Sequence, residues 1–374
     1  MSKQTRIPPS LKQKNHTVIE VIRACDVKPE QIAWCWKGWL AAGKFHVLAG
    51  APGTGKTTIA ISLAATITSG GFWPDGTPSK IGNVVIWSGE DDPKDTLIPR
   101  LTQAKADLSR VHFIIGIKTG KERRSFDPAI DMEPLRQLLK EIGEVHLLII
   151  NPIVSAISGD SHKNAEVRRS LQPLIDLTAS MRCALLGITH FSKGTSGRDP
   201  VERLTGSLAF GTLARIVLVV SKQQKQGDDC HTTRIFLRAK SNIGPDDGGF
   251  EYALQQEELK DNPGIITSSI VWSRSIEGSA HELLTRAEKI YSSIRQGAKE
   301  EAMCFLSELL INGPLSATDI EEQYISAGYS EATIRRAKSA LKINVHKEGG
   351  NFGNNGQQWI WQLPTESTAC SGSE

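Results

Sequence analysis

With 39% hydrophobic and 23% charged residues over 374 positions, the chain can bury a core of about 250 residues and a smaller second one, which excludes wholesale disorder. A net charge of +3 is too small to argue for or against a polyanionic partner. Cys25, Cys35, Cys183, Cys230, Cys304 and Cys370 form no CxxC pair, so neither a zinc ribbon nor a disulfide framework is expected, and reduced thiols in cytosol fit best.

The N-terminal stretch MSKQTRIPPSLKQKN has no apolar core of signal-peptide length, and no run approaches the roughly 18 apolar residues of a membrane span. The expectation is a soluble cytoplasmic protein with no membrane association. Residues 1–15 read as a flexible tail and VIEVIRACDV (18–27) as a short helix. From Lys44 onward apolar runs alternate with helical segments: FHVLAG, NVVIWSG, VHFIIGI, VHLLII, CALLGITH, RIVLVVSK and TTRIFLRAK. Runs this short, rich in Val and Ile and apolar at successive positions, suit strands covered on both faces. Between the fourth and fifth lies NAEVRRSLQPLIDLTAS, where Val167, Leu171, Leu174 and Ile175 make one buried helical stripe. Strands alternating with helices predict a mostly parallel α/β sheet flanked by helices over 16–275, closed by terminal strands near 250–275. A helical connector follows over 276–299. Residues 300–364 then read as helix, helix, helix and hairpin, with Ser316 and Ser330 as N-caps and Glu331 at the positive end of the third helix. Residues 365–374 read as a second flexible tail.

The sequence Gly50-Ala-Pro-Gly-Thr-Gly-Lys-Thr57 lies directly after one strand and before one helix, the context of a phosphate-binding loop. Its glycines let backbone N–H groups turn inward around phosphate, the helix N-terminus adds positive dipole, Lys56 reaches the β- and γ-oxygens, and Thr57 offers a hydroxyl to magnesium. The expected nucleotide contacts are Gly50, Pro52, Gly53, Thr54, Gly55, Lys56, Thr57 and Thr58, with ATP and Mg2+ as cofactors. The strand NVVIWSG ends in Glu90-Asp91-Asp92, where a carboxylate can deprotonate an attacking water, and Glu90 is the expected base.

The ordered set WCWKGWLAAGKFHVLAGAPGTGKTT, IWSGEDD, HLLIINPI, LLGITHFSKG, RLTGSLAFGTLAR and LRAKSNIGP resembles the RecA-like ATPases over roughly residues 18–275. Within them it resembles the hexameric replicative helicases of the plasmid RepA type and their phage and genomic-island relatives. GPLSATDI, TIRRAKSALK and the WIWQLP ending are similar to the winged helix-turn-helix tail on many such proteins. The resemblance implies a RecA-like domain, a homo-hexamer and DNA replication. It implies that His190 senses the γ-phosphate and relays its state to the loop FSKGTSGRDPVERLTG. Arg215 matches the arginine finger that enters a neighbour's site, its other reading being a helix-end arginine facing solvent. Lys240 would be a second contact in trans, with Arg238 as the alternative. Where the family has aspartate near the metal, this chain has Asn151. An amide still accepts a hydrogen bond from the metal's water shell but adds no charge, a cost on the order of 1–2 kcal/mol. Asp91 or Asp92 could supply the charge, and hydrolysis slower than in relatives with the acid is expected.

In a ring, the loops after the later strands line the hole, and here they carry Lys193, Arg198 and Arg203, with Lys222 and Lys225 further on. Such a pore would hold single-stranded DNA through charge. KTGKERR (118–124) is a further basic loop, with solubility as its default use. In the C-terminal segment Arg335, Arg336, Lys338 and Lys342 gather on the third helix, which would enter a duplex groove, with KEGGNFGNNGQ as the wing. Leu341, Ile343, Trp359 and Trp361 read as core, and Trp34, Trp36 and Trp39 as packing for the N-terminal segment. The sequence thus predicts an ATP-dependent DNA helicase or translocase with replication proteins as further partners. The alternatives are an ATP-gated DNA-binding regulator or loader with weak hydrolysis, and an autophosphorylating RecA-like signalling ATPase.

Overall fold

The computed structural model describes residues 21–127, 130–157, 159–192, 195–223, 233–310, 313–327, 329–348 and 358–364. Residues before Trp34 form a unit of their own. Its described part makes a single 3₁₀ turn over Ala24–Asp26, with an Arg23–Asp26 ion pair at 2.8 Å. This corrects the helix expected over 18–27, of which 18–20 lie outside the described residues. Val21 and Ile22 are 84% and 70% exposed, and a segment this short does not overcome helix nucleation without a face to bury.

The second unit opens with a tight hairpin, β1 (Trp34–Trp36) and β2 (Leu40–Ala41), and runs into β3 (Phe45–Gly50). There follow α1 (Lys56–Ser69), β4 (Asn83–Ser88), α2 (Ile98–Gln103), β5 (Val111–Phe113), the hairpin β6 (Ile117–Thr119) and β7 (Glu122–Arg124), α3 (Met132–Ile142) and β8 (Val145–Asn151). Then come α4 (Asn164–Ser180), β9 (Ala184–Ile188), α5 (Ala209–Leu213), β10 (Ile216–Gln223), β11 (Thr233–Ser241), β12 (Gly249–Glu258) and β13 (Ile266–Ile276). One nine-stranded sheet results, in the order β13-β12-β11-β10-β3-β9-β8-β4-β5. Neighbours from β10 to β5 are parallel, while β11, β12 and β13 return antiparallel. The third apolar run is cut short. As the edge strand, β5 pairs only with Val84–Ile86 of β4, and the chain then turns into the β6–β7 hairpin, so KTGKERR is a hairpin and not an open loop.

Period-two alternation distributes β3 between the two faces. Phe45, Val47 and Ala49 join the core under α3, α4, α5 and residues Ala280, Leu284 and Ala287, while Leu48 joins the core under α1 and α2. The second core is closed by aromatic rings: Trp36 stacks on Trp39 and Trp73 at centroid separations of 5.0 and 5.1 Å, next to Phe236 and Phe250. Trp34 packs against the same cluster from a partly buried position. Each such fully buried side chain contributes about 2 kcal/mol or more by area alone. His46 is wholly buried between the faces, accepts at Nε2 from Ala41 N (3.0 Å) and donates from Nδ1 to Leu185 O (3.2 Å). Burial lowers its pKa to about 4, so it is a neutral structural histidine.

Beyond the sheet, α6 (Ala280–Leu310) is one helix of 31 residues. This corrects the expectation of a connector ending at 299 and a separate helix from 300. Gly297 is the only helix breaker in that stretch, and a lone glycine costs about 1 kcal/mol, which flanking turns absorb. Ala280, Leu284 and Ala287 belong to the core of the sheet, whereas Ala302, Leu306 and Leu310 belong to a third core with Ile320, Tyr324, Ile334, Ala337 and Ile343. That core is completed by β14 (Leu315–Ser316), α7 (Ala317–Ser326), α8 (Glu331–Ala340), β15 (Asn344–Glu348) and β16 (Gln358–Gln362). Ser316 and Ser330 accept from Asp319 N (3.1 Å) and Thr333 N (3.3 Å), the expected caps. The strands pair antiparallel in the order β14-β16-β15. Trp361 packs against the third core, but Trp359 is 52% exposed and corrects its expected core placement. β14 pairs only with Ile360 and Trp361, so the sheet loses its cover one residue before Trp359 is reached. Among the described residues no helix is long and apolar enough to cross a membrane.

Candidate functional site

In an open parallel sheet the carboxyl ends of the strands, where the strand order reverses, form the natural ligand crevice. Here β3 lies between β10 and β9, and the chain leaves it through α1 to a strand two places beyond β9. The loop 50–57 therefore meets the ends of β4, β8 and β9, which bring Glu90, Asn151 and His190 to one place. Gly53 (φ 71°) and Gly55 (φ 97°) occupy the left-handed region, where a side chain is strained. A Cβ at Gly55 would also meet Leu254 at 3.0 Å. Thr54 closes the loop on itself, Oγ1 donating to Ala51 O (2.8 Å), and Tyr252 of β12 donates to Thr54 O (2.8 Å) from across the sheet.

Lys56 is 6% exposed, and its Nζ donates to Gly50 O and Ala51 O, both at 3.0 Å, and to His190 Nδ1 at 3.1 Å. Burial lowers its pKa to about 8, against the opposing pull of Glu90. Burial also lowers the pKa of His190, and the Lys56 charge lowers it further, so the imidazole is neutral at pH 7 with Nδ1 as acceptor. Its Nε2 lies 3.8 Å from Glu90 Oε1. Lys56, His190 and Glu90 thus form one chain of contacts.

A cavity of about 320 Å³ faces this chain, lined by the loop residues Pro52, Gly53, Gly55, Lys56, Thr57 and Thr58 and by Glu90, Asp91, Asn151 and His190. Arg100, Ile188, Leu254 and Ser268 close the rest. Asn151 is 3% exposed, and its Nδ2 has no hydrogen-bond partner among the described residues. An orphaned buried donor at the end of β8, facing the same cavity as the phosphate loop, is placed to donate to an anion's oxygen. The hydroxyl of Thr57 and the carboxylate of Asp91 share the cavity, a donor set that fits magnesium brought in with nucleotide phosphates. Among the described residues no group of three or more His, Cys, Asp or Glu side chains could hold a metal by itself.

Three further residues reach the site, two of which, Arg100 and Tyr252, carry no motif. Arg100, on α2, lines the cavity and lies 3.8 Å from Asp91. Tyr252 comes from an antiparallel strand with no motif. Lys222, expected in the pore, has its Nζ 3.8 Å from where a Cβ would stand at Gly53, beside the phosphate loop. The pairing of Val220 with Gly50 was the missing signal, since it carries the end of β10 past the loop.

The expected trans residues stand elsewhere. Ile216 pairs with His46 at the beginning of β3, so exposed Arg215 lies at the amino edge of the sheet, roughly 16 Å from the loop at about 3.3 Å per residue. Lys240 joins it there, its Nζ capping α5 through Gly211 O (2.8 Å) and Ala214 O (3.2 Å). Arg238 is occupied: it stacks 4.2 Å over Trp39 and donates to Gly38 O and Asp247 O.

Of the expected DNA contacts, Lys193 and Lys225 lie outside the described residues, and Arg198 is exposed. Arg203 corrects its expectation. It is 5% exposed and paired with Glu288 at 2.5 Å, so it offers no free charge, because the carboxylate arrives from a helix 85 positions later. On α8, Arg335 is exposed, Arg336 donates to Ala332 O (3.0 Å) and Thr333 Oγ1 (3.2 Å), and Lys338 lies 3.7 Å over the ring of Trp361. Lys342 is exposed just beyond the helix.

Fold and site together define a nucleotide-hydrolysing P-loop ATPase of the AAA/RecA-like class. A family model described as an AAA domain matches residues 10–196, half of the chain, and the chain belongs to that family. The match takes in the phosphate loop, Glu90, Asn151 and His190. No curated protein matches the chain closely enough to carry an argument.

Proposed function

We propose that the chain is an ATP-driven DNA helicase or translocase of the plasmid RepA type, assembling as a ring and serving replication of a plasmid, phage or genomic island. The observation that carries this reading is the position of Arg215 and Lys240, on the sheet edge opposite the phosphate loop. There they lie out of reach of their own phosphate loop, which supports a role toward a second copy's site, with Lys240 released from its two carbonyls at α5 to serve it. In this reading Glu90 is the base that takes the proton of the attacking water, and neutral His190 registers the phosphate through Lys56. Thr57, Asp91 and Asn151 would hold Mg2+, which neutralises phosphate charge when bound.

DNA would lie along Arg198 and Lys193 in the ring and against Arg335 and Lys342 of the C-terminal unit. The order of that unit, helix, short strand, two helices and two strands, agrees with a winged helix. The test is DNA-stimulated ATP hydrolysis and strand displacement on a forked substrate by the wild type and Lys56→Ala. The proposal expects both activities in the wild type and neither in the variant. Asn151, a neutral residue near the metal, favours a second reading, an ATP-gated regulator or loader, which would hydrolyse slowly, bind a defined duplex and displace nothing.

A further inference from the structure

The segment that follows His190 returns to the sheet through residues 197–205, and its anchor stands on a distant helix. Thr205 N donates to His190 O (2.8 Å), Phe191 bridges Leu204, and Phe191 N donates to Gly50 O (3.3 Å) at the start of the phosphate loop. Ser192 N donates to Arg203 O (2.7 Å). The guanidinium of Arg203 lies 4.3 Å over the Phe191 ring and donates to Glu288 Oε1 at 2.5 Å, while Gly197 N donates to Glu288 Oε2 at 3.2 Å. Both carboxylate oxygens of Glu288 are thus used on one segment, at two points. Glu288 follows Ala287, which is packed in the core of the sheet, so its backbone is held there by the helix. Arg203's side chain is only 7% exposed, and opening such a pair strands a charge with little water to receive it.

We propose that Glu288 is a positioning residue: by clamping Arg203 and Gly197 it fixes the segment whose far end is bonded to His190. Nucleotide occupancy at Lys56 and His190 is thereby felt at α6, the helix that also builds the C-terminal core. This rests on the nucleotide-site reading above. The structure shows the closed state, with Glu288 engaged, and the proposal requires an open one with Arg203 released, since coupling needs a two-state element.

Hydrogen exchange of the full chain, with and without ATP and Mg2+, tests it. In the wild type, ATP should slow exchange in both the phosphate loop and segment 197–205, by about tenfold or more. Glu288→Gln keeps shape and removes charge. It should leave the phosphate-loop response unchanged and cut the response of 197–205 to less than about twofold. If Glu288→Gln unfolds the chain because Arg203 is left unpaired, the double variant Arg203→Gln, Glu288→Gln takes its place with the same expected result. A response of 197–205 as large in the variant as in the wild type overturns the proposal. Failure of ATP to protect even the wild-type phosphate loop overturns the nucleotide-site reading too, a signature distinct from loss of the clamp alone.

Discussion

Burial holds the Lys56 amine at about 8, so its charge changes just above physiological pH. Below that value the ammonium is present and attracts phosphate. As pH rises through it, the proton leaves and the attraction with it, unless bound phosphate pulls the pKa back up. ATP affinity measured by calorimetry should therefore fall by up to about tenfold per unit as pH rises above 8, until the value in the complex is passed. Lys56→Ala should bind weakly at every pH with no such slope. Asn151 gives a second prediction, from its unpaired Nδ2. Asn151→Asp keeps an acceptor, loses the donor and adds a charge facing phosphate. In EDTA it should bind ATP about tenfold more weakly than the wild type, and in Mg2+ the gap should close, since the cation screens the new carboxylate. Equal affinities in EDTA would mean that the amide does not touch phosphate.

Helix α8 shows why cations on one element are not equivalent. Arg335 on the helix and Lys342 just beyond it are exposed, whereas Lys338 covers Trp361. Arg335→Ala or Lys342→Ala should weaken duplex binding and reduce the salt slope by about one for each phosphate no longer neutralised, without changing thermal stability. Lys338→Ala should instead lower stability by about 0.5–1 kcal/mol, as judged by denaturant unfolding. The same contrast governs what could be read from the chain. Strands β3, β4, β8, β9, β10 and β11 announce themselves because burial on both faces makes their sequences continuously apolar. The phosphate loop is legible because its glycines and lysine must stand at set spacings. Arg203 looks like a free cation in the sequence because a run of residues cannot show Glu288, which reaches it through the fold. The continuity of α6 was hidden for a related reason: Gly297 looks like a boundary, and only the two cores gripping either end keep the helix whole. Lys222 and Tyr252 reach the loop through sheet pairing, which no local pattern encodes.

For the molecule as a whole, the proposed ring divides each site between two copies of the chain. The carboxyl edge of the sheet holds Lys56, Glu90 and His190, and the amino edge holds Arg215 and Lys240. A finger supplied by a neighbour contributes roughly 10³–10⁵ in rate, so specific activity should climb with protein concentration and collapse on dilution. The most direct measurement mixes two inactive variants, Lys56→Ala and Arg215→Ala, in equal amounts and follows ATP hydrolysis. Random assembly gives about one interface in four with both residues intact, so the mixture should regain roughly a quarter of wild-type activity although neither variant works alone. A mixture no more active than the sum of its parts, or an Arg215→Ala protein that hydrolyses ATP at the wild-type rate by itself, would contradict the account.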